Sequence, residues 1–334
     1  MNKITGWQPN DTTPQLLEEL DELDLLSSVM ELETQGFTVV PPEKVAPAGF
    51  HERVRDAVVR VAAARFDQPV EAVPEFFEDR QENIRFMLWE DRIFESVVLN
   101  PTVLGLAQYL VGTGCILSLC NGWIKGPRCA ERTPIHVDWT DYSVPTLPAA
   151  ANTATVNYLL TDYSKAEGAL SFVPGSHRHC RLPSPEEVES WADRAHPVEA
   201  PAGSLVVWGD HTWHGSYERS VPGLRIMMLG VFARPHLQTQ EPYRQTCTQE
   251  ALDRNPVRFA SLMDQYGKFP FGRDGFDIDR DKHNPAGPPS YCSLFDREPA
   301  NGRVDLRPDY DYSAFSGKKT ISYQKRAEQR RLAG

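Results

Sequence analysis

The apolar positions of this chain change period along its length, and the changes divide it into three stretches. In the first third the period is helical. Leu16, Leu17, Leu20, Leu23, Leu26 and Met30 recur at helical spacing between the opener Thr13-Pro14 and the stop Gly36, which predicts one amphipathic helix whose acidic residues form a solvated face. Phe37-Thr38-Val39-Val40 reads as a short strand, Phe50, Val54, Val58, Val61 and Phe66 as the stripe of a second helix, and Asn100-Pro101 as the start of a third. From about Ile116 to Phe232 the pattern shortens to runs of Val, Leu, Ile, Thr and Trp between turn clusters, as in an antiparallel sandwich or barrel. The earlier helices would buttress one side of that sheet. After Pro235 one helical stretch is predicted near Thr248 to Tyr266, followed by Gly, Pro, Asp and Arg in quantity and a locally basic end from Lys318 to Arg331.

Composition narrows the class. With 334 residues, 40% hydrophobic and 24% charged, the chain has ample material for a core, and no internal repeat is visible. A formal net charge of −11 argues against a nucleic-acid or anionic-membrane partner, because both need a basic surface. There is no long apolar run and no signal-like start. Cys115, Cys120, Cys129, Cys180, Cys247 and Cys292 show no C-x-x-C pair, so reduced thiols in a cytoplasmic setting are expected.

Within the strand-rich stretch, four residues carry candidate chemistry. In an extended segment side chains alternate faces, so His136 and Asp138 point the same way and can share one ion. A third ligand, His214, stands 76 residues after the aspartate. Two imidazoles and one carboxylate on one face of an octahedral ion make up the ligand set of non-haem Fe(II) oxygenases. Arg225, eleven residues beyond His214, interrupts the apolar run Leu224 to Leu229 and is costly to bury unless it meets an anion such as a carboxylate. A strand, a tight reversal and a returning strand would bring it near the metal. His211 competes with His214, but Gly203 to Trp208 reads as a strand ending at Gly209-Asp210, and the arginine spacing favours His214. A zinc hydrolase or cupin-type isomerase could use the same ligands, though Arg225 would then go unexplained. The non-enzyme alternative is a sheet-rich binding protein with structural histidines.

These residues, together with Gly168-Ala169-Leu170-Ser171-Phe172-Val173-Pro174-Gly175-Ser176-His177 and His214-Gly215-Ser216, resemble the phytanoyl-CoA dioxygenase-like family of Fe(II)- and 2-oxoglutarate-dependent oxygenases. The resemblance spans roughly residues 15 to 235. It implies a mainly β fold with flanking helices, built on a double-stranded β-helix (jelly-roll, cupin-like) core at about 115–235. Residues 1–235 would form the oxygenase domain, with 236–334 a loop-rich extension packed on it or covering it. It also implies that His136, Asp138 and His214 ligate iron, that Arg225 and Ser216 hold the distal carboxylate of 2-oxoglutarate, and that Asn157 contacts the cosubstrate. His177 would hold the signature turn.

The implied reaction consumes O2 and 2-oxoglutarate, releases succinate and CO2, and most commonly hydroxylates an unactivated C–H of a small organic molecule, lipid-like, terpenoid or another secondary metabolite. Desaturation, epimerisation and rearrangement are its variants, and a non-oxygenase cupin-type metal protein is the alternative. The partner expected is a small-molecule substrate, with no nucleic acid and no membrane, and with self-association left open. In the extension, Phe269, Phe271 and Phe276 among Pro270, Gly272 and Gly275 suggest a segment able to close over the barrel mouth.

Overall fold

The computed structural model describes residues 13–138, 146–265, 292–304 and 306. The first predicted helix is two helices, α1 (Thr13–Glu22) and α2 (Leu26–Gln35), because Asp24 adopts a left-handed conformation at φ 54° and turns the chain. Aspartate tolerates that region better than most residues. The break changes which leucines are inside. Leu16 and Leu20 are buried, whereas Leu17, Leu26 and Met30 are exposed, so the predicted stripe was only partly a core face.

Strand β1 (Phe37–Val40) follows, then α3 (Phe50–Arg65), whose stripe Val54, Val58 and Val61 is buried as expected. The short α4 (Val73–Phe76) and strand β2 (Gln81–Ile84), together with α5 (Arg92–Val98), were not evident in the sequence pattern. The side chain of Asn100 accepts from the Thr102 and Val103 amides, which starts α6 (Pro101–Val111) at the predicted place.

The strand-rich stretch supplies β3 (Ile116–Lys125), β4 (Thr133–His136), β5 (Thr153–Leu159), β6 (Leu170–Phe172), the helix α7 (Pro185–Glu189), and then β7 (His196–Pro197), β8 (Leu205–Gly209), β9 (His214–Ser216) and β10 (Arg225–Ala233). They form two antiparallel sheets, a six-stranded one in the order β1-β8-β5-β10-β3-β2 and a four-stranded one in the order β4-β9-β6-β7. This is the expected jelly-roll arrangement with flanking helices. Period-2 alternation sorts each strand of the large sheet between two faces. Ile226, Met228 and Phe232 of β10 and Ala154, Val156 and Tyr158 of β5 pack with the helices, while Met227, Trp208, Leu159 and Phe172 fill the space between the sheets.

Beyond β10, the helical stretch predicted near Thr248 to Tyr266 is interrupted. Helix α8 (Tyr243–Thr246) precedes α9 (Gln249–Arg254), and α10 (Val257–Leu262) restarts after Asn255-Pro256, since proline has no N–H to continue the ladder and pushes Asn255 to extended backbone. Tyr243, Leu252, Phe259, Met263, Leu294, Ala300 and Val304 belong to the same apolar core as α3, α5 and α6. The aromatic segment at 269–276 lies outside the described residues. All six cysteines are free thiols, and among the described residues no single helix is long and apolar enough to cross a membrane.

Candidate metal and cosubstrate site

His136 ends β4 and His214 opens β9, and the two strands pair so that these residues are direct register partners. Their rings lie 4.3 Å apart, centroid to centroid. Asp138 sits two residues beyond the strand end, where its amide donates to the Asp210 carbonyl at 2.9 Å. Facing ligand atoms of His136, Asp138 and His214 all fall within 4.8 Å of one another. His214 Nε2 is 3.5 Å and His136 Nε2 3.8 Å from Asp138 Oδ1.

The surroundings select which atoms face inward. His136 Nδ1 lies 2.9 Å from the Pro134 carbonyl and His214 Nδ1 3.0 Å from the Thr212 carbonyl, so both Nδ1 atoms carry a proton and each Nε2, in the neutral ring, is the atom that can present a lone pair. Asp138 Oδ2 accepts from Thr155 Oγ1 at 3.2 Å and Trp208 Nε1 at 3.1 Å, which leaves Oδ1 turned to the histidines. Burial disfavours the Asp138 charge, yet His214, His136 and the Trp208 hydrogen bond outweigh it and bring the carboxyl down to about 2. Its side chain is nevertheless 32% exposed, because it faces a cavity. Burial, with His214 nearby, lowers the His136 pKa. Burial also acts to lower that of His214, but the facing Asp138 carboxylate raises it overall.

That cavity has a volume of about 770 Å³ and runs along the inner face of β10, where Arg225, Met227, Leu229, Val231 and Ala233 all line it. Nine strand residues span about 26 Å. At one end Arg225 is buried, with one guanidinium nitrogen donating to the Gly168 carbonyl, its carbon 5.4 Å from the Tyr163 ring centre, and its Nε without a partner. Between His214 and Arg225 the chain bends at 221–223, with Gly223 at φ 86°, but the two strands it joins do not pair. Strands β9 and β10 belong to different sheets, so the arginine reaches the site because the chain crosses from one sheet to the other.

Ser216 lines the cavity and donates to Thr133 Oγ1 at 3.1 Å. Asn157 lies opposite Leu229 in the sheet, fully buried, with both amide atoms unpartnered. Trp123 Nε1, on the same lining, is also unpartnered. Buried polar groups without partners are uncommon, and three of them beside one cavity fit a polar ligand there.

His211 does not line this cavity. It is buried against Asp210 and His177, on the far side of the turn. The signature turn has a mechanical role: Ser176 Oγ accepts from the Trp213 amide, Gly175 N donates to Gln35 O, and Thr212 Oγ1 donates to Gly36 O. It thus clamps the segment leading into His214 onto the end of α2. A Cβ on Gly36 would meet His177 Nδ1 at 2.5 Å, so a glycine is needed at this contact. Thr155, Trp208 and Trp123 were missed by sequence reasoning. For Thr155 a signal existed, since it shares a strand face with Asn157.

Residues 32–227 match the sequence profile of the phytanoyl-CoA dioxygenase (PhyH) family. The chain belongs to that family. Its members are Fe(II)- and 2-oxoglutarate-dependent oxygenases that use O2, and this chain is an enzyme of that class. It is 30% identical over 153 residues to the dioxygenase af480 of Aspergillus fumigatus, covering 44% of this chain and 47% of that protein. It is 25% identical over 191 residues to Rv1501, an uncharacterised protein of Mycobacterium tuberculosis, covering 55% and 67% of the two chains. Among solved structures it shares its fold with the carbocyclase SnoK from nogalamycin biosynthesis, at TM-score 0.51 and 21% identity over 63% of this chain and 84% of that one. It likewise shares it with HygX from Streptomyces hygroscopicus, solved with nickel and 2-oxoglutarate, at TM-score 0.51 and 16% identity over 64% and 88%.

Proposed function

We propose that His136, Asp138 and His214 hold Fe(II), that Arg225 anchors the distal carboxylate of 2-oxoglutarate with Ser216 and Asn157 as further contacts, and that the enzyme hydroxylates a small, largely apolar organic molecule. The observation that carries the reading is the donor set itself. Two imidazole Nε2 atoms and one carboxylate oxygen lie within reach of one ion, and each group is held by a hydrogen bond on its other side. Iron with 2-oxoglutarate and dioxygen supplies an oxidant able to take hydrogen from an unactivated C–H, while the cosubstrate leaves as succinate and CO2. The residues of this chain bind, orient and exclude water. Arg225, buried and bonded on one side only, has its remaining N–H groups free to hold a carboxylate at a fixed distance from the triad. Thr155 and Trp208 keep Asp138 from rotating.

The far half of the cavity supports the substrate class. Leu119, Leu229, Val231, Ala233 and Leu237 line it with the carboxamides of Asn152, Gln238 and Gln240. The charged side chain there, Asp210, already accepts from the Asn152 and Thr153 amides at 3.2 and 3.3 Å. An uncharged substrate with an apolar body and a few hydrogen-bonding oxygens fits such a wall. Among the described residues lining the cavity, it also leaves no free carboxylate near the triad to serve a hydrolase as base. We further read residues 236–306, as far as they are described, as part of the same folding unit.

The test is alanine replacement of each triad residue, with iron content and 2-oxoglutarate consumption measured. Each variant is expected to lose iron and turnover. Full activity in His214→Ala with loss in His211→Ala would overturn the ligand assignment. For Arg225→Ala the expected result is retained iron with 2-oxoglutarate binding weakened by about 3–5 kcal/mol, and only partial recovery in Arg225→Lys.

A further inference from the structure

Arg225 is not the only buried cation at its end of the cavity. In the pairing of β3 with β10 its direct partner is Lys125. Partners across an antiparallel pair lie on the same face with Cα atoms about 4.5–5.5 Å apart. Like charges placed so are unfavourable unless something compensates them. Lys125 is fully buried, and its ammonium donates to the Glu131 carbonyl and, at 3.0 Å, to the Tyr217 carbonyl. Among the described residues, no carboxylate is in ion-pair contact with either cation. The charged or titratable groups that act on Lys125 are Arg225 from β10, Cys129 and Glu131 from the loop before β4, and Glu218 from the loop after β9. Two buried cations therefore stand side by side at this end, Arg225 lining the cavity and Lys125 behind it, and Glu131 and Glu218 act on Lys125 without touching it.

We propose that Lys125 is a positioning residue for 2-oxoglutarate, its ammonium adding to the field in which Arg225 binds the distal carboxylate. The proposal rests on the assignment of Arg225 above. Lys125 does not line the cavity, so it acts through Arg225 and through the carbonyls it ties down rather than by touching the ligand. Burial, with Arg225 as the second cause, lowers its pKa to about 8. A carboxylate arriving beside the pair favours the protonated ammonium. Binding is then strongest below about 8 and weakens as pH rises through that value, by up to roughly tenfold per unit until the bound-state pKa is reached.

The experiment is calorimetric titration of 2-oxoglutarate into the anaerobic Fe(II)-loaded protein from pH 6.5 to 9.5, for wild type, Lys125→Met, Lys125→Arg and Arg225→Ala, with melting temperatures recorded. The wild type is expected to lose affinity above pH 8. Lys125→Met should bind roughly tenfold more weakly at pH 7 and lack that decline, while Lys125→Arg recovers affinity without it. A purely structural lysine would change melting temperature and leave the pH profile alone. Wild-type affinity that is flat across pH 8, or a Lys125→Met protein that binds as the wild type does, overturns the proposal. The wild-type profile decides the matter even where Lys125→Met does not fold. Unchanged binding in Arg225→Ala defeats the anchor assignment instead, and weakened binding there with normal Lys125→Met defeats only the role of Lys125.

Discussion

At the scale of the residue, the site depends on which proton each donor keeps. His214 faces Asp138 at 3.5 Å, and this contact raises its pKa even though burial opposes it. The sign follows directly. In the metal-free protein the protonated pair adds stability that is fully present below the ordinary histidine range and is lost as pH rises through the raised value. A metal needs the neutral ring, so protons compete with it from below. We expect Fe(II) affinity to fall as pH falls through the His214 titration, with about one proton released per metal near that point. Calorimetry in buffers of different ionisation enthalpy measures this release, and Asp138→Asn should abolish most of it by removing the charge that raises His214. His136, already lowered by burial and by His214, is expected to contribute little. Trp208→Phe removes a donor to Asp138 and should loosen the metal about 10- to 100-fold, as expected for an outer hydrogen bond.

At the scale of the element, the triad is a product of strand register. His136 and His214 meet because β4 and β9 pair at that point, and Gly215 permits the pairing. A Cβ there would lie 2.4 Å from the Thr133 carbonyl oxygen and 3.1 Å from the Pro134 carbonyl carbon, both backbone atoms that cannot step aside. Gly215→Ala is therefore expected to cost about 2–4 kcal/mol and to lower iron content with it, read by thermal melting and metal analysis. Sequence pattern identified β8 and β10 well, because their runs are almost wholly apolar, whereas the extended segment expected to carry both His136 and Asp138 ends as a strand at His136. It did not identify β2, whose Gln81-Glu82-Asn83-Ile84 carries one buried apolar side chain, nor the breaks at Asp24 and Pro256 within apparently continuous helical periods. Those breaks come from single backbone positions that a periodicity averages over.

At the scale of the molecule, the segment after β10 is bound into the oxygenase fold. Glu241 is buried, and its carboxylate accepts from the Phe86 amide at 2.7 Å, the Cys120 amide at 3.1 Å and the Tyr243 hydroxyl. The Gln240 amide donates to Ser118 Oγ and the Glu241 amide to the Ser118 carbonyl, which ties the segment bearing the cavity-lining Gln238 and Gln240 to Ser118 on the same wall. Glu241→Ala leaves buried amides unpaired and is expected to destabilise the protein by about 2–5 kcal/mol in denaturant unfolding. Removing residues 236–334 strips Tyr243, Leu252, Phe259 and Met263 from the core shared with α3, α5 and α6. That truncation should yield insoluble protein. A soluble truncated form with wild-type iron content would contradict the packing argument.

The class of this protein was legible from local patterns, because the ligand types, the His-x-Asp spacing, the glycine-rich signature turn and an arginine inside an apolar strand are all features of short segments. An antiparallel sandwich or barrel followed from the switch of apolar period, and the double-stranded β-helix from the family resemblance. The tertiary structure alone decided that Arg225 approaches by crossing between sheets, that Thr155 and Trp208 orient Asp138, that His211 faces away, and that Leu237, Gln238 and Gln240 close the far wall. Each of these depends on contacts between residues far apart in the chain. Hydrophobic periodicity sets which face of an element is buried, but not which other element covers it.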